Sequence, residues 1–187
     1  MKSEETLKRL KDGNARFTAG NPSKISVSAE LRKDLFENGQ FPYAAIVGCS
    51  DSRVPVELVF DAGPGELFVV RTAGNVVSPV EMGSLEFAVT QLKVSLVLVL
   101  GHDKCGAVAA ATTEGDFSPS LDSIMQEVRC CAPDVIGGVP ADIEDKNIRY
   151  VASKIAANPL ISKAVSDGNV RVAGAKYSLE TGIVTFF

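Results

Sequence analysis

Tryptophan is absent, histidine occurs once and cysteine four times in 187 residues. A chain of this length can bury roughly 70% of its unfolded surface, so its core needs no disulfide staples. In a reducing cytosol the four cysteines read as metal ligands, catalytic groups or buried thiols rather than disulfides. No apolar run approaches the roughly 20 residues of a membrane span; the longest covers only residues 94–100. The net charge is −4 and no Lys/Arg cluster stands out, so neither nucleic acid nor an anionic membrane is favoured as a partner. The opening Met1-Lys2-Ser3-Glu4-Glu5-Thr6 is charged and has no apolar signal core, which points to a cytoplasmic protein. Neither a G-x-G-x-x-G nor a Walker-type loop is present, which argues against a nucleotide-binding α/β domain. Glycine (16) and proline (9) are near average and no repeat is visible. One domain, 1–187, is therefore the default.

What is present alternates between strand and helix. Leu7, Leu10, Asn14 and Phe17 are spaced for an amphipathic helix, with Ser3 as its cap and Gly20 as its stop. After a loop over 21–25, a second helix is predicted over 28–38, with Leu31 and Leu35 inward and Gly39 ending it. Four apolar runs, 43–47, 67–71, 92–100 and 170–175, read as strands buried on both faces of a parallel sheet. Ser78-Pro79-Val80-Glu81 starts a helix, with Ser as N-cap, Pro at N1 and Glu at N3. Met82, Leu85, Val89 and Leu92 form its apolar face. Further helices are predicted over 105–112, 121–131 and 143–158. Tyr177-Ser178-Leu179, Gly182 and Ile183-Val184-Thr185-Phe186 read as a closing hairpin. The expected class is α/β: a mainly parallel central sheet flanked by helices, with an N-terminal helical arm and a C-terminal hairpin or edge strand.

The chemistry gathers at two strand ends. Cys49 follows the first strand in Gly48-Cys49-Ser50-Asp51-Ser52-Arg53. His102 follows the strongest strand in Gly101-His102-Asp103-Lys104-Cys105-Gly106. Open α/β sheets bind ligands beyond the carboxyl ends of strands where the strand order reverses, so Cys49, His102 and Cys105 converge if these strands are neighbours. Two thiolates and one imidazole suit zinc and leave a fourth position for water. Asp51 could take that position and close the site. In an extended segment Asp51 and Arg53 face the same side, where Arg53 can hold the carboxylate bidentately and keep it ionised. Cys130 and Cys131 follow Arg129 near a helix end and read as partly buried thiols.

Cys49-Ser50-Asp51-Ser52-Arg53-Val54, the stretch from Gly63 through Arg71, Ala73-Gly74-Asn75 and Gly101-His102-x-x-Cys105-Gly106 resemble the β-class carbonic anhydrases over nearly the whole chain. The resemblance implies a zinc lyase (carbonate dehydratase) that reversibly hydrates carbon dioxide to bicarbonate and a proton. It implies one Zn2+ per chain on Cys49, His102 and Cys105, with Asp51 and Arg53 as the catalytic dyad. Asp51 also joins the metal ligands in a closed, inactive state. It further implies a substrate pocket of Gln40, Phe68, Ala73 and Phe87, the last two standing where plant-type members have Val and Tyr. A homodimer or homotetramer follows, with the arm 1–40 embracing the partner subunit. One subclass is inhibited by bicarbonate bound near a Trp three residues before the first cysteine. Ile46 stands there, although Arg71 of that pocket is present, so such inhibition is expected to be weak or absent. Two alternatives keep the zinc: hydrolysis of carbon disulfide or carbonyl sulfide at the same site, or a non-enzymatic zinc-stabilised binding protein.

Overall fold

The computed structural model describes residues 2–23, 25 and 27–187. Two helices lead in: α1 (Ser3–Thr18) and α2 (Ala29–Asn38). Then follow β1 (Ala44–Cys49), α3 (Val56–Val59), β2 (Leu67–Thr72), a 3-10 turn (Ala73–Asn75), α4 (Pro79–Thr90) and β3 (Leu96–His102). Helices α5 (Gly106–Ala111), α6 (Pro119–Arg129), α7 (Pro140–Ala156) and α8 (Pro159–Ser166) precede β4 (Arg171–Tyr177) and β5 (Val184–Phe186). The strands make one sheet in the order β2-β1-β3-β4-β5. All neighbours are parallel except β4 and β5, which form the predicted hairpin.

Every residue of β1 and β3 is buried, which explains why these strands read as unbroken apolar runs rather than alternating ones. Successive side chains still point to opposite faces. Ile46, Leu96, Leu98 and Leu100 meet Leu7 and Leu10 of α1 and Val56 and Val59 of α3 on one face. Ala45, Val47, Val97 and Val99 meet Leu85 of α4, Ile148, Val151 and Ile155 of α7 and Ile161 of α8 on the other.

Helix α4 starts as its sequence predicts: Ser78 N–H donates to Glu81 Oε2 at 2.9 Å, and Ser78 Oγ accepts from Val80 N–H. Other boundaries move. Ser3 lies inside α1, because Glu5 reaches back to the Lys2 amide (3.0 Å) and makes Lys2 the N-cap. Leu31 and Leu35 are only half-buried, and α2 has no fully buried residue. Helices α6 and α7 start earlier than predicted, each with a proline in its first turn, where the missing N–H costs nothing. Helix α8 was not foreseen; Asn158 Oδ1 caps it by accepting from Leu160 and Ile161 N–H at 3.0 and 3.2 Å. The loop expected over 21–25 includes Lys24, which lies outside the described residues.

The chain runs from β1 to the edge strand β2, then crosses back to β3 on β1's other side. Strand order therefore reverses between β1 and β3, and the carboxyl ends of these two strands are where such sheets bind ligands.

Candidate metal centre

Cys49 is the last residue of β1 and His102 the last of β3, so both belong to the strands rather than to the loops after them. The two strands are hydrogen-bonded neighbours, with Gly48 opposite Leu100. Beyond His102 the chain turns sharply: Lys104 has φ +52°, and Cys105 becomes the N-cap of α5. The two sulfurs and an imidazole nitrogen of Cys49, His102 and Cys105 all lie within 4.8 Å of one another, and all three residues are buried. The sulfurs are 4.0 Å apart. Two thiolates about 2.3 Å from a tetrahedral zinc would stand roughly 3.8 Å apart, so the spacing fits that ion.

The nitrogen of His102 fits as well. Its Nδ1 lies 2.8 Å from the Asp103 carbonyl, which can only accept, so the proton sits on Nδ1. Nε2 is buried and has no hydrogen-bond partner among the described residues. A lone pair there, beside two thiols, is the donor set a soft or borderline dication takes up. Hydrogen bonding from Cys105 favours the Cys49 thiolate and pulls its pKa down, while the same contact and burial push the Cys105 thiol up. A dication held between them would take both as thiolates.

Asp51 and Arg53 pair through a turn, not along an extended segment. Val54 N–H donates to the Asp51 carbonyl at 3.0 Å, and Arg53 N–H to Asp51 Oδ1 at 2.9 Å, an Asx turn. Arg53 Nε and Nη2 then reach Oδ1 and Oδ2 at 2.9 and 2.7 Å. These side-chain bonds hold the Asp51 carboxyl well below the usual carboxylate range. Its Oδ2 stands 3.9 Å from His102 Nε2, facing the cluster but turned to Arg53. Arg71 braces the same loop, donating from Nε to the Cys49 carbonyl (2.9 Å) and from Nη2 to the Asp51 carbonyl (2.7 Å).

The residues the resemblance assigns to the substrate pocket are scattered. Ala73 directly follows Thr72, the parallel partner of Cys49, and is half-buried beside the site. Phe68 lies four residues back along β2, and its ring meets that of Phe87 at 6.4 Å between centroids. Gln40 is exposed ahead of β1, at the opposite end of a strand that spans about 17 Å. Cys130 and Cys131 are free thiols at the end of α6, the first exposed, the second half-buried.

Two residues on α7 went unnoticed in the sequence. Glu144 and Asn147 are buried within a helix face otherwise built of Ile143, Ile148, Val151 and Ile155. Glu144 Oε1 accepts from the Cys105 N–H at 3.2 Å, and Asn147 Nδ2 donates to the Gly74 carbonyl at 2.9 Å. The available signal was two polar residues, three apart, inside an apolar helical stripe.

The arrangement is that of an α/β protein with a Cys-His-Cys cluster that could hold a metal ion at its topological switch point. Residues 44–184 match the family model described as Carbonic anhydrase. Carbonic anhydrase 2 of Mycobacterium tuberculosis is 41% identical over 183 residues, covering 94% of this chain and 88% of that one. A tetrameric β-carbonic anhydrase of Sordaria macrospora superposes with TM-score 0.76 at 25% identity, covering 98% of this chain and 97% of the other. A carbon disulfide hydrolase shares the fold at TM-score 0.56 and 20% identity, over 97% and 88% of the two chains. The chain belongs to the carbonic anhydrase family, in its β class. It is an enzyme of that family, whose reaction is the reversible hydration of carbon dioxide.

Proposed function

We propose that this chain hydrates carbon dioxide in the cytoplasm with one zinc ion held by Cys49, His102 and Cys105. The observation that carries the reading is the unpartnered, buried Nε2 of His102 facing two thiols. When bound, zinc lowers the pKa of a water towards about 7 and so supplies hydroxide at neutral pH.

The protein's own groups do the rest. Asp51 accepts a hydrogen bond from the water's proton and aims the oxygen's lone pair at carbon dioxide. Arg53 keeps that carboxylate ionised and fixed, with three of its N–H groups committed to Asp51. Zinc held by Cys49, His102 and Cys105 would supply the hydroxide that carbon dioxide takes up as bicarbonate. The released proton passes to external buffer, because His102 is the only histidine and serves as a ligand. Arg53 grips Asp51 away from the three ligand groups, which supports an open resting state rather than one closed by Asp51.

The oligomer belongs to the same reading. Gln40 lies at the far end of β1 from its own Cys49, so a pocket containing both draws Gln40 from a second copy. Phe36 on α2 and Phe41 just after it are 89% and 75% exposed, which supports contact of the arm 1–40 with a partner subunit in a homodimer or homotetramer. Zinc content and stopped-flow carbon dioxide hydration on the same preparation, with its mass in solution, test the reading. One zinc per chain, strong turnover and a mass of two or four chains are expected.

A further inference from the structure

We infer that α7 carries two positioning residues for the metal centre, Glu144 and Asn147, which fix from behind the backbone that presents both thiolates. The inference rests on the three-ligand reading above.

Glu144 and Asn147 are 3% and 1% exposed, and each spends its side chain on a segment at the metal centre. Glu144 Oε1 takes the N–H of Cys105 itself. Cys105 is also the N-cap residue of α5, the point at which the chain turns from the loop into that helix. Fixing the Cys105 amide therefore fixes the backbone from which its sulfur projects. Asn147 Nδ2 donates to the carbonyl of Gly74, two residues past Thr72, the strand partner of Cys49. Gly74 has φ +68°, and a Cβ there would stand 3.2 Å from the Ala107 Cβ, so this turn is held by packing as well.

The third ligand is reached from the same helix. A Cβ on Gly101, the residue before His102, would come within 2.5 Å of Ile148. Three residues within two turns of one helix thus touch the three segments that carry the ligands. Glu144 is a buried anion, and its charge is met by Lys176 Nζ at 2.9 Å, which also pairs with Asp145 at 2.9 Å. The carboxylate therefore remains neutralised while its other oxygen serves Cys105. Outer groups that orient metal ligands typically govern metal affinity by ten- to a hundredfold.

Two conservative variants separate hydrogen bonding from charge. Glu144→Gln keeps an acceptor within reach of the Cys105 N–H and loses the charge. Glu144→Asp keeps the charge and draws the acceptor back by a methylene. Each is loaded with cobalt(II), its thiolate-to-cobalt absorption recorded, and metal release into a chelator timed; melting of the metal-free protein controls for fold. Glu144→Gln is expected to release cobalt within about threefold of the parent rate, and Glu144→Asp and Asn147→Leu about tenfold faster, with shifted absorption bands. Release faster from Glu144→Gln than from Glu144→Asp, or parental release from all three, overturns the inference. A parent protein with no thiolate-to-cobalt band would instead overturn the metal-centre reading on which it stands.

Discussion

The Asp51 carboxylate faces the imidazole of His102, with Oδ2 3.9 Å from Nε2, while Arg53 grips it from the other side at 2.7 and 2.9 Å. One short turn thus sets an acceptor that Arg53 keeps ionised beside the nitrogen that would carry the metal.

Replacing Asp51 by Ala removes the acceptor and none of the three clustered ligand groups. Hydration is expected to fall at least about a hundredfold, as for loss of a general base or orienting group, with zinc content largely kept. Stopped-flow assays with metal analysis check this. Because Arg53 holds the Asp51 carboxyl well below the ordinary range, Asp51 stays ionised at every pH above that range. The parent rate should therefore show no limb from this group near neutrality. Arg53→Lys keeps a positive charge but loses the bidentate fork, and should lower the rate without adding such a limb.

Cys105→Ser replaces a thiolate by a hydroxyl that zinc binds poorly. Metal analysis after dialysis should find zinc well below one per chain. A fully loaded variant would refute the ligand assignment.

Proton release should depend on the medium. His102 is the only histidine and lies buried in the ligand cluster, leaving no second imidazole as a shuttle. Turnover is expected to rise with buffer concentration until saturation. A rate independent of buffer would point to an internal relay.

Bicarbonate should inhibit weakly. Ile46 is fully buried in β1, and Arg71 is committed to the carbonyls of Cys49 and Asp51. Steep, concerted loss of activity in millimolar bicarbonate would contradict this.

Asp61 ties α1 to the body of the protein and should make stability depend on acid. Its buried carboxylate accepts from Arg16 Nε at 2.5 Å and from Ser23 N–H at 2.9 Å. Burial alone would raise its pKa, but these hydrogen bonds outweigh that and lower it. The contribution is therefore complete above the unfolded value of about 3.9 and is lost as pH falls through the lower folded value. Asp61→Asn should cost about 1–3 kcal/mol at neutral pH, and the gap to the parent should narrow below about pH 4. Urea unfolding at both pH values checks this.

The sheet was legible because β1 and β3 are buried on both faces and their apolar runs admit little else. Helix α4 was legible because Ser78 and Glu81 form a local capping box. Helix α8 was hidden, since Asn158-Pro159 reads as the end of one helix when it also begins another. The clustered Cys49, His102 and Cys105 were visible as Cys and His at strand ends; the manner of the Asp51–Arg53 pairing was not, because an Asx turn and an extended segment share the same spacing. Glu144 and Asn147 could not be assigned from local pattern: their partners, Cys105 and Gly74, lie 39 and 73 residues away. Gln40 is a similar case, since its proposed place in the pocket depends on a second chain.

The central claim is tested most directly by titrating zinc into metal-free protein and following carbon dioxide hydration at about pH 8.5 in concentrated buffer. Hydration should rise in proportion to added metal and break sharply at one zinc per chain, while Cys105→Ser stays flat. Full zinc loading of the parent protein with no hydration would contradict the account.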